Sequence, residues 1–274
     1  MLITALATPL HEDYSLDIKS FHRLLQHQKR GADGVIIAGT TGQGSLLSDQ
    51  EKSLLLQASQ DYPFARGLCV SDLSLDRVWK NIEIAAKHET QFILVTPPFF
   101  IRPSQEAIIG FFKKILDQSF CPVILYNNPS RVGVAIENCV YDAVKGHKNL
   151  LGVKESMGKS SLNGINIPVF CGDDDKIFSY KKQGAIGAIS VLSNVFVETV
   201  KKALCLDSSA EETLQLLIKL FVRVNPLPMQ YILKRNHLFQ FCRVKEELGA
   251  LEEGDKETIE KILEEAWTKL ALAF

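Results

Sequence analysis

A chain of 274 residues, 46% hydrophobic and 23% charged with a formal net charge of −1, can bury a large core but offers no electrostatic footprint for nucleic acid or an anionic membrane. Its six cysteines, at 69, 121, 139, 171, 205 and 242, show neither C-x-x-C nor finger-like Cys/His spacing, and read as free thiols of a reducing compartment. The N-terminus, Met1 to Leu6, lacks a basic region and its apolar stretch ends at Pro9, which excludes a signal peptide or membrane span and points to the cytoplasm.

Apolar runs of strand length alternate with amphipathic stretches of helix length. Strands are expected near 2–7, 34–38, 67–70, 91–95, 122–126, 150–154, 168–171 and 186–191. Between them, helical periodicity falls near 17–30, 48–60, 75–88, 104–118, 136–146, 174–183 and 194–205. The strands are continuously apolar rather than alternating, so they belong in a parallel sheet buried on both faces. Eight such units predict an α/β fold, a (β/α)8 TIM barrel over residues 1–224. The connection Ser156–Ile167 has room for one or two helical turns at most. After Asn225-Pro226-Leu227-Pro228 no strand pattern remains. Helices near 229–248 and 255–272 then make a C-terminal helical appendage over 225–274, with the change of character starting as early as 209.

In a barrel of this kind chemistry sits where strands end. The loop Gly39–Ser45, GTTGQGS, has glycines spaced like a phosphate cradle, but Ser45 stands where a P-loop needs lysine. Its adjacent hydroxyls, Thr40 and Thr41, suit a small carboxylate better, or else a helix-capping turn. Asp173-Asp174-Asp175 after the seventh strand reads as helix N-capping rather than as a metal site. The six histidines show no H-E-x-x-H, and no metal is expected.

Lys154 ends the apolar strand NLLGVKES, an unusual place for an ammonium. Tyr126, at the end of the neighbouring fifth strand, can reach it in the barrel mouth. Arg131 lies five residues further along that loop and can pair with a carboxylate. Desolvation and a cationic neighbour both make an amine easier to free for attack on a carbonyl. Schiff-base chemistry and a buried ion pair with an acidic neighbour both remain open at this point.

The segments GTTGQGS, VTPPFFIRPSQE, VILYNNPSRVG, LLGVKES, GDDDKIF and GAIGAISV lie in order and spacing that resemble the dihydrodipicolinate synthase and N-acetylneuraminate lyase group of class I aldolases. The resemblance covers roughly residues 2–230, and Thr40-Thr41 with the arginine of NPSR favour its synthase branch. It implies condensation of pyruvate with L-aspartate 4-semialdehyde, toward diaminopimelate and lysine. It implies Lys154 as the Schiff-base residue, Tyr126 as proton donor and acceptor, and Thr40 as its relay partner. By the same resemblance Thr41 binds the pyruvate carboxylate, Arg131 orients the aldehyde substrate or the tyrosine, and Gly172 and Ile189 line the pyruvate pocket. No cofactor is required, because the protonated imine is itself the electron sink. A homo-oligomer, homotetramer or homodimer, is expected, with no nucleic-acid or membrane partner.

This chain departs from the group in three places. Phe99-Phe100 stand where tyrosines are usual, and the second of these normally completes a hydroxyl relay into the neighbouring subunit. Gln43 replaces a glutamate, which removes a carboxylate near the site. The positions that bind lysine in feedback-inhibited relatives correspond to Asp49, Lys52, Leu73, Arg77 and Phe99, a set poorly suited to a cation, so lysine inhibition is expected to be weak or absent. Two alternatives stay in view: an aldolase of the same group acting on a 2-keto-3-deoxy sugar acid, and a keto-acid-binding barrel with reduced catalysis.

Overall fold

The structure is a computed structural model that describes residues 1–158 and 160–272. Eight strands close in sequence order into a parallel barrel. They are β1 (Leu2–Ala5), β2 (Gly34–Ile37), β3 (Ala65–Cys69), β4 (Phe92–Val95), β5 (Val123–Asn127), β6 (Leu150–Glu155), β7 (Val169–Cys171) and β8 (Gly187–Ser190). Each falls within or beside its expected segment. The crossovers hold α1 (Ile18–Gln28), α2 (Asp49–Ser59), α3 (Leu75–Lys87), α4 (Gln105–Gln118), the short α5 (Pro129–Val132), α6 (Asn138–Val144), α7 (Ile177–Lys182) and α8 (Val197–Leu204). Among the described residues no helix joins β6 to β7. The chain continues through α9 (Ser208–Leu217), α10 (Leu227–Arg235) and α11 (Glu253–Leu272).

Successive strand residues face opposite ways, and two apolar layers follow. Ile3, Ala5, Ile36, Leu94, Ile124 and Phe170 fill the barrel interior. Val35, Val95, Leu125 and Val153 face outward and pack under the helices against Phe21, Leu24 and Phe112. Both layers are buried and apolar, so the strands read as unbroken apolar runs. Serines start the helices where the pattern predicts. Ser48 forms a capping box with Glu51, and Ser74 and Ser104 accept from the backbone N–H groups of Arg77 and Ala107. The side chains of α9, α10 and α11, including Leu217, Met229, Ile232 and Leu263, belong to the same apolar layer as the barrel helices.

The helix expected over 229–248 ends at Arg235 instead. His237 takes a left-handed conformation, φ 58°, and the N–H of Leu238 turns back to the carbonyl of Leu233. That termination lets Phe239 and Val244 drop into buried positions. The segment beyond runs irregularly over the barrel mouth with one 3₁₀ turn, Glu246–Leu248. The acidic run also differs from expectation. Asp174 does not cap the helix that follows it; its carboxylate accepts from Ser190 Oγ and from the N–H groups of Val191 and Leu192, at 3.0 Å each, and so caps the turn after β8. All six cysteines are unpaired. No helix among the described residues is long and apolar enough to cross a membrane.

The Gly39–Ser45 loop is held tightly. Gln43 N–H donates to Thr40 O and Gly44 N–H to Gly39 O, both at 3.0 Å, and Thr8 Oγ1 donates to Gly42 O at 2.8 Å. A Cβ on Gly44 would run into the backbone carbonyl of Ala38. Gly44→Ala should therefore destabilise the protein by about 1–3 kcal/mol, as overpacking does. Urea unfolding checks this: a midpoint equal to wild type would mean that the turn has slack to spare.

Candidate active site

Strand register decides which side chains meet. Tyr126 of β5 pairs with Lys154 of β6, and Asn127 with Glu155 one step on. Alternation sends the first pair into the barrel and the second into the helix layer. There Glu155, fully buried, accepts from Asn127 Nδ2 at 2.9 Å and from Tyr141 OH at 3.3 Å. Burial, and next the Glu155 carboxylate, push the Tyr141 phenol well above its ordinary value, so it stays a neutral donor. The acidic residue next in sequence to Lys154 is thus turned away from it.

Lys154 is 5% exposed, and its Nζ lies 4.3 Å from the centroid of the Tyr126 ring. Among the described residues no carboxylate oxygen comes within 4.0 Å of that nitrogen, and no hydrogen-bond acceptor engages it. The buried ion pair left open by the sequence is absent at this lysine. The nearest acids line the same cavity. Burial raises the Asp173 carboxyl above its usual value, opposed by a hydrogen bond from Gly158 N–H at 2.9 Å and by the charge of Lys154. Asp174, buried and raised for the same first cause, is committed to the turn after β8.

The cavity has a volume of about 200 Å³ and is lined by Lys154, Tyr126, Thr40, Thr41, Arg131 and Gly172, together with Asn128 and Asn225. Thr41 is buried, and its Oγ1 accepts from Asn225 Nδ2 at 2.9 Å. Arg131, on α5, is exposed and reaches Asn225 O at 3.4 Å through Nη2. Gly172 is a site of close approach: a Cβ there would run into Ser156 Oγ and come within 2.9 Å of Lys154 Cε. Ile189 is the exception. It is fully buried in the barrel interior beside Tyr126, beneath the cavity, and Val191 lines the wall on that side. A strand position one alternation step deeper than the rim supports the floor and does not border the space.

A second chamber, about 250 Å³, shares Thr40, Tyr126, Arg131 and Asn225 with the first and is closed by Phe99, Pro226 and Leu248. Gln43 borders this outer chamber, not the one holding Lys154. Its Oε1 accepts from Lys245 N–H at 2.6 Å and its Nε2 donates to Thr8 O at 3.4 Å. The second bond needs an amide and is unavailable to a glutamate. Phe100 points away from both chambers, 84% exposed, with φ 71°. Sequence reasoning missed Asn225 and Asn128. The first came only as part of the turn NPLP, and the second as the spacer before a proline. No group of three His, Cys, Asp or Glu among the described residues is arranged to hold a metal.

With this geometry in place, the profile of the Dihydrodipicolinate synthetase family matches residues 1–266. The chain belongs to the dihydrodipicolinate synthetase family. A 4-hydroxy-tetrahydrodipicolinate synthase of an Exiguobacterium species is 32% identical over 251 residues, covering 84% of this chain and 86% of the relative. Another, from Rickettsia bellii, is 30% identical over 294 aligned positions, covering 99% and 97%. Among solved structures, the 4-hydroxy-tetrahydrodipicolinate synthase of Methylacidiphilum fumariolicum superposes with a TM-score of 0.92 at 27% identity, covering 98% of this chain and 96% of that one. The chloride-inhibited dihydrodipicolinate synthase of Acinetobacter baumannii, complexed with pyruvate, does so with a TM-score of 0.89 at 26% identity, covering 96% and 97%.

Of Asp49, Lys52, Leu73, Arg77 and Phe99, the set expected from the resemblance to be poorly suited to a lysine ligand, two are paired with each other and a third is held by a neighbour. Arg77 bridges Asp49 at 2.9 Å and Asp72 at 3.6 Å, and holds the Asp49 carboxyl below its usual range. Lys52 is buried, donates to Asn81 Oδ1 at 2.9 Å, and has its pKa lowered first by desolvation. A cationic ligand would find the Asp49 and Asp72 carboxylates already bound to Arg77, Lys52 buried, and the exposed apolar Leu73. L-lysine at millimolar concentration should give no saturable heat in a calorimetric titration; a saturable isotherm would place an effector site elsewhere on the protein.

Proposed function

We propose that this chain condenses pyruvate with L-aspartate 4-semialdehyde, through an imine on Lys154, to give 4-hydroxy-tetrahydrodipicolinate on the route to diaminopimelate and lysine. The reading is supported by the family, by the activity for which its relatives are named, and above all by one observation. A lysine almost withdrawn from water stands in a small cavity, in direct ion pair with none of the described carboxylates and with a phenol ring beside its nitrogen. A structural lysine would be paired at such a site. A nucleophilic one must not be.

The chemistry follows from the neighbours. The free amine of Lys154 attacks the ketone carbon of pyruvate, and Tyr126 protonates the carbonyl oxygen, which leaves as water when the carbinolamine collapses. The protonated imine draws electrons from the adjacent methyl group, and loss of a methyl proton gives an enamine. Its terminal carbon attacks the aldehyde carbon of the second substrate, whose oxygen takes a proton. That substrate's own amine then displaces Lys154 from the imine, closing the ring. In this reading Thr41 and the N–H groups of its glycine-flanked turn hold the pyruvate carboxylate, and Thr40 passes protons to Tyr126. Arg131, exposed at the mouth between the two chambers, meets the carboxylate of the second substrate. Gly172 leaves Lys154 room to swing, and Ile189 supports the floor.

We also propose a cytoplasmic homo-oligomer, dimer or tetramer. Phe100, Ile101 and Leu73 expose large apolar side chains, at 84%, 59% and 42%. Such side chains suit a subunit interface. Phe100 is also the feature that favours the rival reading, a keto-acid-binding barrel with reduced catalysis. Turnover decides between them. Wild-type protein supplied with pyruvate and aspartate semialdehyde should consume both, and Lys154→Ala should fall to background. Imine formation without turnover would favour the binding protein, and turnover only with a 2-keto-3-deoxy sugar acid would favour the other aldolase.

A further inference from the structure

Asn128 lies between the two residues to which the proposed reaction assigns most, Tyr126 and Arg131, and its side chain engages both. It is 8% exposed and lines the Lys154 cavity. Its Oδ1 accepts from Arg131 N–H at 3.3 Å and from Ser130 Oγ at 2.7 Å, and so caps the N-terminus of α5. Its Nδ2 donates to the phenol oxygen of Tyr126 at 2.9 Å. The orientation of the amide is fixed by these partners, because a backbone N–H can be answered only by the carbonyl oxygen. The NH₂ group is then left facing the phenol.

A phenol oxygen carries one proton and accepts through its lone pairs. With an N–H on one lone pair, the O–H of Tyr126 cannot point at Asn128 and has to donate elsewhere. Among the described residues it has no other hydrogen-bond partner, and the ring already lies against Lys154 Nζ. Its proton is therefore free for a molecule in the cavity. When that proton is handed over, the charge left on the oxygen keeps one hydrogen bond, and bonds to charged groups are the stronger kind. No aromatic hydroxyl helps from the β4 loop, where both positions are phenylalanine.

We propose that Asn128 is a positioning residue for Tyr126, its carbonyl oxygen building the turn that carries Arg131 while its amide N–H aims the phenol proton and supports the oxygen that loses it. The inference rests on the proton-transfer role read for Tyr126 above. It also gives the second asparagine of VILYNNPSRVG a chemical task, where an apolar residue could neither cap the turn nor reach the phenol.

Two variants separate the functions of the one side chain. Asn128→Ser and Asn128→Asp both keep an oxygen to cap α5 and both lack the amide donor; the first adds no charge. Imine formation with pyruvate, followed by rapid quench with borohydride, should slow about tenfold in each, the worth of one charge-assisted hydrogen bond, while the KM for pyruvate stays at the wild-type value. Tyr126→Phe should also slow the step, and adding Asn128→Ser to it should cost nothing further, because the amide would have no oxygen left to serve. Wild-type rates in both single variants would overturn the inference, as would an undiminished Asn128→Ser effect in the Tyr126→Phe background. Tyr126→Phe at the wild-type rate would instead remove the tyrosine's role, and the inference with it, so the two failures are told apart.

Discussion

The site depends on a one-residue alternation at the end of two neighbouring strands. Tyr126 and Lys154 face each other inside the barrel, and Asn127 and Glu155 do the same outside it. A slip of β6 by one position would turn Lys154 outward and set the Glu155 carboxylate beside Tyr126 in its place. As built, the negative charge of Glu155 is held by an amide and a phenol in the helix layer. The lysine, in contrast, makes no direct ion pair or hydrogen bond among the described residues and lies against the face of an aromatic ring. An unpaired buried ammonium is costly, and the fold sustains it where the barrel opens and a small polar cavity begins. The same arrangement leaves the nitrogen free to react.

The C-terminal region from Asn225 onward completes that cavity rather than decorating the barrel. Asn225 ties the buried hydroxyl of Thr41 and, through its carbonyl, the guanidinium of Arg131. Pro226 and Leu248 close the outer chamber from above. Gln43 and Glu51 anchor this cover from the barrel side, the first through Lys245 N–H and the second through Lys245 Nζ at 2.8 Å. The glutamine at 43 is therefore a structural tie between the Gly39–Ser45 loop and the cover. It lines the outer chamber and is not part of the wall around Lys154.

The barrel was legible because parallel strands buried on both faces write themselves as unbroken apolar runs, and because stretches of helical period alternate with them. The ends of strands two, five, six and seven then pointed to one mouth, and Thr40, Thr41, Tyr126, Arg131, Lys154 and Gly172 do meet there. Three things were not legible. The stop at Arg235 depends on a left-handed histidine, a conformation that histidine rarely signals in a pattern of helical period. Asp174 caps a turn sixteen residues and more away in sequence, a long-range bond no local rule contains. The depth of Ile189 follows from strand stagger, which periodicity alone does not give. Asn128 and Asn225 escaped notice because an asparagine beside a proline reads as turn chemistry. Here each serves a turn and a cavity wall together.

The central claim is that Lys154 is unpaired because it is the nucleophile. Mass mapping after borohydride reduction in the presence of pyruvate tests it most directly. The account predicts one added reduced pyruvyl group, on the peptide that contains Lys154, and its disappearance in Lys154→Ala. Modification confined to another lysine, or no adduct at all in the folded wild-type protein, would contradict it.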